Sequence, residues 1–187
     1  MTGHAHVEHG SDKRIALLIA ILALFLAIAE TGAKSAQTEG ISRNVEAANL
    51  WAFFQARTIR QTNVRTAAEA AELDRLAATD AAVREAIARQ QQSWRDTAAR
   101  WESEPQTGEG RRELMARAKA AEAIRDRSLA AYHMHEFGSA AFQVAIVLAS
   151  ASIITSVPLL AIGGVALGVA GVVLSGLGFL APELVHF

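Results

Sequence analysis

Six histidines and thirty-seven charged side chains are the groups through which this chain can bind or transform anything, because cysteine is absent. That absence excludes disulfides, thiolate metal sites and thiol nucleophiles. His4, His6 and His9, with Glu8 among them, form an H-x-H-x-x-H tract. Imidazoles this close can share a divalent ion such as zinc, nickel or copper. Nothing in residues 1–12 supplies a rigid frame for them, so we read a flexible His-containing tail and assign no metal site. His133, His135 and Glu136 form a second cluster, just before an apolar stretch begins. His133 and Glu136 are three residues apart and share a helix face. They read as part of an interfacial polar belt, with a pH-sensitive pair as the alternative. Glu30 closes the first apolar stretch, where it either caps a packed face or pairs with Lys34 one turn on.

The chain holds no phosphate loop, no G-x-S-x-G and no H-E-x-x-H, and no strand-rich scaffold to hold a nucleophile. We therefore expect no catalytic residues, no cofactor and no enzyme activity.

The elements that position these groups are dominated by three apolar stretches, at residues 15–29, 140–157 and 159–181. A helix of about twenty apolar residues crosses the hydrocarbon core of a bilayer. Residues 13–33 then make a first, retained transmembrane helix. No charged residue occurs between Ala140 and Ala181, and Ser156-Val157-Pro158 punctuates that run. Two helices, 138–157 and 159–181, joined by a tight turn satisfy it where a single span would be twice too long. Residues 182–187 form a short tail.

Small side chains recur along the last of these helices. Ala161, Gly164, Gly168, Gly171, Ser175 and Gly178 step by three and four, so they share one face. In lipid, helices associate through close backbone approach along such stripes. We expect this face to pack on the first span or on another subunit. Ala16, Ala20, Ala23 and Ala27 draw a similar stripe on the first span. Within the spans no residue is ionisable apart from Lys13, Arg14 and Glu30 toward the two ends of the first, which argues against a transport pathway inside one subunit.

Between the spans, residues 34–137 form a helical insert of a different kind. Thirty-two of the charged residues lie between Glu30 and Glu136, sixteen of each sign. This balance excludes the basic stripe that nucleic acid requires. It fits solvated helices carrying i,i+4 pairs such as Glu85 with Arg89. From Ser35 to Trp101 there is no proline, and Gly40 is the one glycine. A three–four seam runs through Ile41, Val45, Ala48, Ala52, Ile59, Leu73 and Leu76, then through Val83, Ile87, Trp94 and Trp101. Gln55, Thr62, Thr66 and Glu69 dilute it, which suggests a loose antiparallel helical hairpin, its members paired in coiled-coil fashion. Residues 102–110 break the helix with Pro105, Gly108 and Gly110. At about 1.5 Å per residue the outgoing helix is far longer than its return. The sequence therefore predicts that part of the outgoing half bends or lies flat at the headgroup boundary, which we place at 49–60. Trp51, Phe53 and Phe54 there, with Trp94 and Trp101, are the candidate interaction surface.

The strings Ala29-Glu30-Thr31-Gly32-Ala33-Lys34-Ser35-Ala36-Gln37-Thr38 and Asn49-Leu50-Trp51-Ala52-Phe53-Phe54-Gln55-Ala56-Arg57 carry a resemblance. The chain resembles, over nearly its whole length, a family of bacterial membrane proteins catalogued only as a domain of unknown function. The resemblance implies a bacterial, multi-pass membrane protein and transfers no ligand or catalytic residue.

The fold expected is all-α: three transmembrane helices with a long antiparallel helical hairpin inserted between the first and second. The function expected is a non-enzymatic membrane scaffold or interaction module, homo-oligomeric, with lipid and an unidentified protein as further partners. An oligomeric channel and a metal- or pH-responsive sensor are the alternatives. Lys34, Arg43, Arg125 and Arg127 outnumber Lys13 and Arg14 near the spans, which leans toward a cytoplasmic insert with the N-terminus outside, and the resemblance implies the inner membrane of a bacterium.

Overall fold

A computed structural model describes the backbone of residues 5–184 and the side chains of residues 13–184. The histidine tract at His4, His6 and His9, and the tail expected over 1–12, lie outside the described side chains. Four helices follow one another: α1 (Ala5–Ala77), α2 (Ala81–Glu102), α3 (Arg111–Thr155) and α4 (Pro158–Leu180), with a 3-10 turn at Pro182–Leu184. The described residues are all helix and connection, with no strand. Three of the helices, α1, α3 and α4, are long and apolar enough to cross a membrane.

Local chemistry sets the helix ends. The bend expected at 49–60 does not occur, since α1 runs through it unbroken to Ala77. The chain reverses instead at residues 78–80, where neither glycine nor proline marks the place. Asp80 caps α2, its Oδ1 accepting from the backbone N–H of Ala82 at 2.6 Å and of Val83 at 3.4 Å. The insert thus has three helical pieces, and α2 resolves the length mismatch that the bend was meant to absorb. Between α2 and α3, Gly108 takes the left-handed conformation at φ +68°. A Cβ at Gly110 would lie 2.7 Å from the Cα of Ser103, so no side chain fits. Glu113 closes this loop by accepting from Ser103 Oγ at 2.6 Å and from the Glu104 N–H at 3.1 Å. Between α3 and α4, Ser156 turns the chain at φ +55° and Pro158 opens the next helix.

The chain divides into two compact units, one of Met1–Ser42 with Ile124–Phe187, the other Arg43–Ala123. In the first unit, Leu22 and Ala29 of α1 pack on Phe142 and Ala145 of α3. Leu18, Leu26, Ile146 and Leu167 surround them, and Phe25 stacks on Phe142 at 6.0 Å. Its outside is apolar: Leu17, Leu24, Val147, Ile154, Ile162 and Val169 are all well exposed.

In the second unit the inward face of α1 is a row stepping by three and four through Ala47, Leu50, Phe54, Arg57, Gln61, Val64 and Ala68. α3 covers its first half, with Leu50 against Leu114 and Ala118. α2 covers its second half, antiparallel, so that residue 61 faces 98 and residue 68 faces 91. The seam traced from the sequence is a different row. Val45, Ala48, Ala52, Ile59, Leu73 and Leu76 are exposed, as is Ile41. α2 uses the expected row only in part: Ile87, Trp94 and Trp101 are half-buried beside buried Gln91 and Ala98, while Val83 faces outward. The physical reason is closeness. Alanine lets helix backbones approach, and long polar side chains then bridge them, so the buried row is less hydrophobic than the exposed one.

Candidate functional site

The second unit is held by a glutamine clasp. Gln61 and Gln91 are almost fully buried, at 2% and 3% exposure. Gln61 Nε2 donates to the backbone oxygen of Ala98 at 2.8 Å and to Glu102 at 3.0 Å. Gln91 Nε2 donates to the backbone oxygen of Ala68 at 2.9 Å and to Glu72 at 3.1 Å. Each carbonyl already serves its own helix and accepts the glutamine on its second lone pair. The two sets are related by a local two-fold axis, and the sequence repeats accordingly. Gln61, Arg65, Ala68 and Glu72 are matched thirty residues later by Gln91, Arg95, Ala98 and Glu102. This Gln-x3-Arg-x2-Ala-x3-Glu repeat was legible in the sequence and escaped a reading based on hydrophobic period.

Arginines complete the clasp. Arg111 donates to Gln61 Oε1 and to Glu102, both at 2.8 Å, and to Thr58 at 2.9 Å. Arg57, 9% exposed, pairs with Glu109 at 2.7 Å. Hydrogen bonds from Arg75 and then Gln91 hold the Glu72 carboxyl down to about 2. Gln61, with Arg111 and Arg112, lowers Glu102, and Ser103 with the Glu104 N–H lowers Glu113.

The aromatic residues named as the candidate interaction surface are mostly engaged within this unit. Trp51 Nε1 donates to Glu122 at 2.9 Å and meets Phe54 edge-on at 5.4 Å. Arg57 lies 5.4 Å from the ring of Phe53 and 5.9 Å from that of Trp101, and Arg111 lies 5.1 Å from Phe54. Trp94 is half-buried on the inner row of α2, and Phe53 alone of the five is exposed.

In the first unit the small stripe of α4 faces inward. Gly164, Gly168, Gly171, Ser175 and Gly178 are buried, and Ala161 at the end is half-buried. Every glycine in it answers to a particular neighbour. A Cβ at Gly164 would lie 2.9 Å from the backbone oxygen of Ala145, one at Gly168 2.6 Å from Leu22, and one at Gly171 2.8 Å from Phe142. Gly178 of α4 and Gly32 of α1 flank His135 from two helices, and a Cβ at either would press on the imidazole, at 3.0 and 2.9 Å. His135 is 2% exposed, its ring meets Phe179 edge-on at 4.3 Å, and its Nδ1 has no partner among the described residues. It lines a cavity of about 300 Å³ together with Ser35, Glu39, Arg127, Ser128 and Phe179. The alanine stripe of the first span faces the other way, with Ala16, Ala20, Ala23 and Ala27 all exposed. His133 Nδ1 approaches Glu136 to 3.7 Å, and Tyr132 donates to the same carboxylate at 3.1 Å. Glu30 and Lys34 are both exposed. No cluster of three or more potential metal ligands occurs among the described residues.

These features define a class: an all-α protein in which three helices are long and apolar enough to cross a bilayer, two of them running on into a polar helical unit. The match to the family described as "Domain of unknown function (DUF4337)" covers residues 11–181, and the chain belongs to that family. No curated protein and no solved structure matches it.

Proposed function

We propose that the chain is a non-enzymatic integral membrane scaffold: the first unit seats it in the bilayer, and the second is a helical interaction module whose first partner is its own copy. One observation carries the reading. The first unit buries its small residues and turns Leu17, Leu24, Val147, Ile154 and Val169 outward. Such an exterior is unstable in water and suited to hydrocarbon, where close packing along glycine holds the helices. Because the stripe is consumed within one chain, self-association falls to other surfaces. We take the membrane to be the inner membrane of a bacterium, and the lysines and arginines near the apolar segments favour residues 34–137 on its cytoplasmic side.

The test is the behaviour of the full chain in membranes. It should stay with the membrane fraction through alkaline carbonate washing and require detergent for release. Release by carbonate would end the membrane reading. The mass in detergent then decides self-assembly, and a monomer at all concentrations would end that part alone.

A permeation module is the second reading, favoured by Gln143, which is exposed on the apolar exterior of α3. A polar amide facing hydrocarbon is costly unless a partner or a water-filled path receives it. Ion flux in liposomes that Gln143→Leu abolishes would favour the pore, and absent flux in the parent would remove it.

A further inference from the structure

His135 of α3 is a titratable group that the first unit buries without completing its hydrogen bonds. It is 2% exposed, and its Nδ1 is sealed with no partner among the described residues. A buried polar atom left this way calls for an explanation. The Nε2 edge of the ring lies against Gly32 and Gly178, where a Cβ would stand 3.0 Å from Nε2 in each case. Both glycines line the cavity of about 300 Å³ that His135 also lines, and every residue around it belongs to the first unit. We propose that this cavity holds the headgroup of a phospholipid bearing both a phosphate and a primary ammonium. The proposal rests on the reading of the first unit as a membrane body and names a ligand for it.

The walls select that chemistry. Burial holds the His135 imidazole below its ordinary 6.5, so at neutral pH the floor is uncharged and offers hydrogen bonds alone. Ser35 and the half-buried Ser128 add hydroxyls. Charge enters at the mouth, with Arg127 from α3 and Glu39 from α1, both exposed. Arg127 also meets Glu183 at 3.6 Å, both side chains being more than half exposed, and its five N–H donors leave some for a phosphate. A plain anion is opposed by the carboxylates and a plain cation by Arg127, whereas a headgroup carrying both signs meets both. Its phosphate is received by Arg127, Ser128 and His135 Nε2, and its ammonium by Glu39.

Position favours a lipid over a free solute. α1 turns polar at Glu30 and Lys34, α3 is charged up to Glu136, and α4 ends at Leu180. The cavity therefore opens at the level where the apolar segments end, which is where headgroups lie. Ile28, one turn of α1 toward the apolar end from Gly32, is 45% exposed, and Phe179 at the cavity wall is 57% exposed. These give acyl chains an apolar surface below the headgroup.

Native mass spectrometry of the full chain in detergent, titrated with single phospholipids, tests this. Phosphatidylethanolamine should be retained at one molecule per chain, roughly fivefold or more tighter than phosphatidylglycerol, which lacks the ammonium. Glu39→Gln should remove that preference, and Arg127→Gln should weaken both lipids. Ser35→Trp fills the cavity from an exposed position on α1. It should abolish retention and leave helix content by circular dichroism unchanged. Phosphoethanolamine without acyl chains, at the same concentration, should not displace the lipid, and displacement would overturn the lipid in favour of a soluble ligand. Equal retention of the two lipids, or retention that Ser35→Trp leaves intact, overturns the site. A chain that resists carbonate yet retains neither lipid overturns the site and spares the membrane reading, whereas release by carbonate ends both.

Discussion

The two units bring helices together by opposite means. In the first, contact is made by removing side chains: Gly164, Gly168 and Gly171 admit Ala145, Leu22 and Phe142. Polar atoms at that contact go without partners, with Ser139 Oγ, Ser175 Oγ and His135 Nδ1 buried and unpaired among the described residues. In the second, contact is made by side chains that cross: Gln61 and Gln91 reach the facing backbone, and Arg111 ties Gln61, Glu102 and Thr58 together. On the membrane reading proposed above, the difference follows from the solvent of each unit. Between helices in hydrocarbon there is no hydrophobic drive, so dispersion at close range does the work. In water the alanine row alone buries little apolar area, and buried hydrogen bonds fix the register.

The comparison breaks most visibly at Gly164. Gly164→Leu drives a side chain into the backbone oxygen of Ala145 and should cost about 3 kcal/mol or more, read as lost stability to denaturant in detergent. Unchanged stability would show that the stripe is not tightly packed. Next, one substitution at two similarly exposed leucines sharpens the difference in solvent. Leu24→Arg should lower membrane insertion by about 3 kcal/mol, the cost of an arginine near mid-bilayer. Leu73→Arg should leave insertion and folding intact. Equal tolerance at both positions would place both units in water.

Within the second unit, the two halves of the clasp should differ. Gln61→Met strips an acceptor from Arg111 and a donor from Glu102, and should cost about 2 kcal/mol. Gln91→Met leaves Glu72 with Arg75 and should cost about 1 kcal/mol. Equal losses in thermal unfolding would mean that Arg111 gains nothing from Gln61. Acid should then separate the units. Glu72, Glu102 and Glu113 have folded values below their ordinary 4.5. Their stabilisation is full above 4.5 and fades as pH falls from there toward about 2, where Glu72 itself titrates. Hydrogen exchange at pH 3 should therefore quicken in 43–123 first, and uniform quickening would contradict this. The smallest effect is expected at Glu85, paired with Arg89 at 3.3 Å on the exposed face of α2. Glu85→Gln should not change unfolding measurably.

Much of this was legible in the residues. Uncharged runs bounded by Lys13, Glu30 and Pro158 marked the apolar helices, because length and absence of charge are composition. Pro105, Gly108 and Gly110 marked the loop before α3, because their backbone preferences are local. The reversal at 78–80 was harder, since its only signal is the Asp80 cap. The inner row of the second unit was misassigned because Arg57, Gln61 and Gln91 rank as polar and Val45, Ile59 and Leu73 as apolar.

By itself the sequence determined the helical class, the apolar segments and the small-residue stripe, all of which depend on residue type and short spacing. Only the tertiary structure decided which row of α1 faces inward, because both rows step by three and four. It alone decided that α2 covers one half of that row and α3 the other, and that Gly32 and Gly178 enclose His135. Those are contacts between residues as far apart in the chain as Gly32 and His135, 103 positions. No local pattern encodes them, because the fit of one surface to another depends on both.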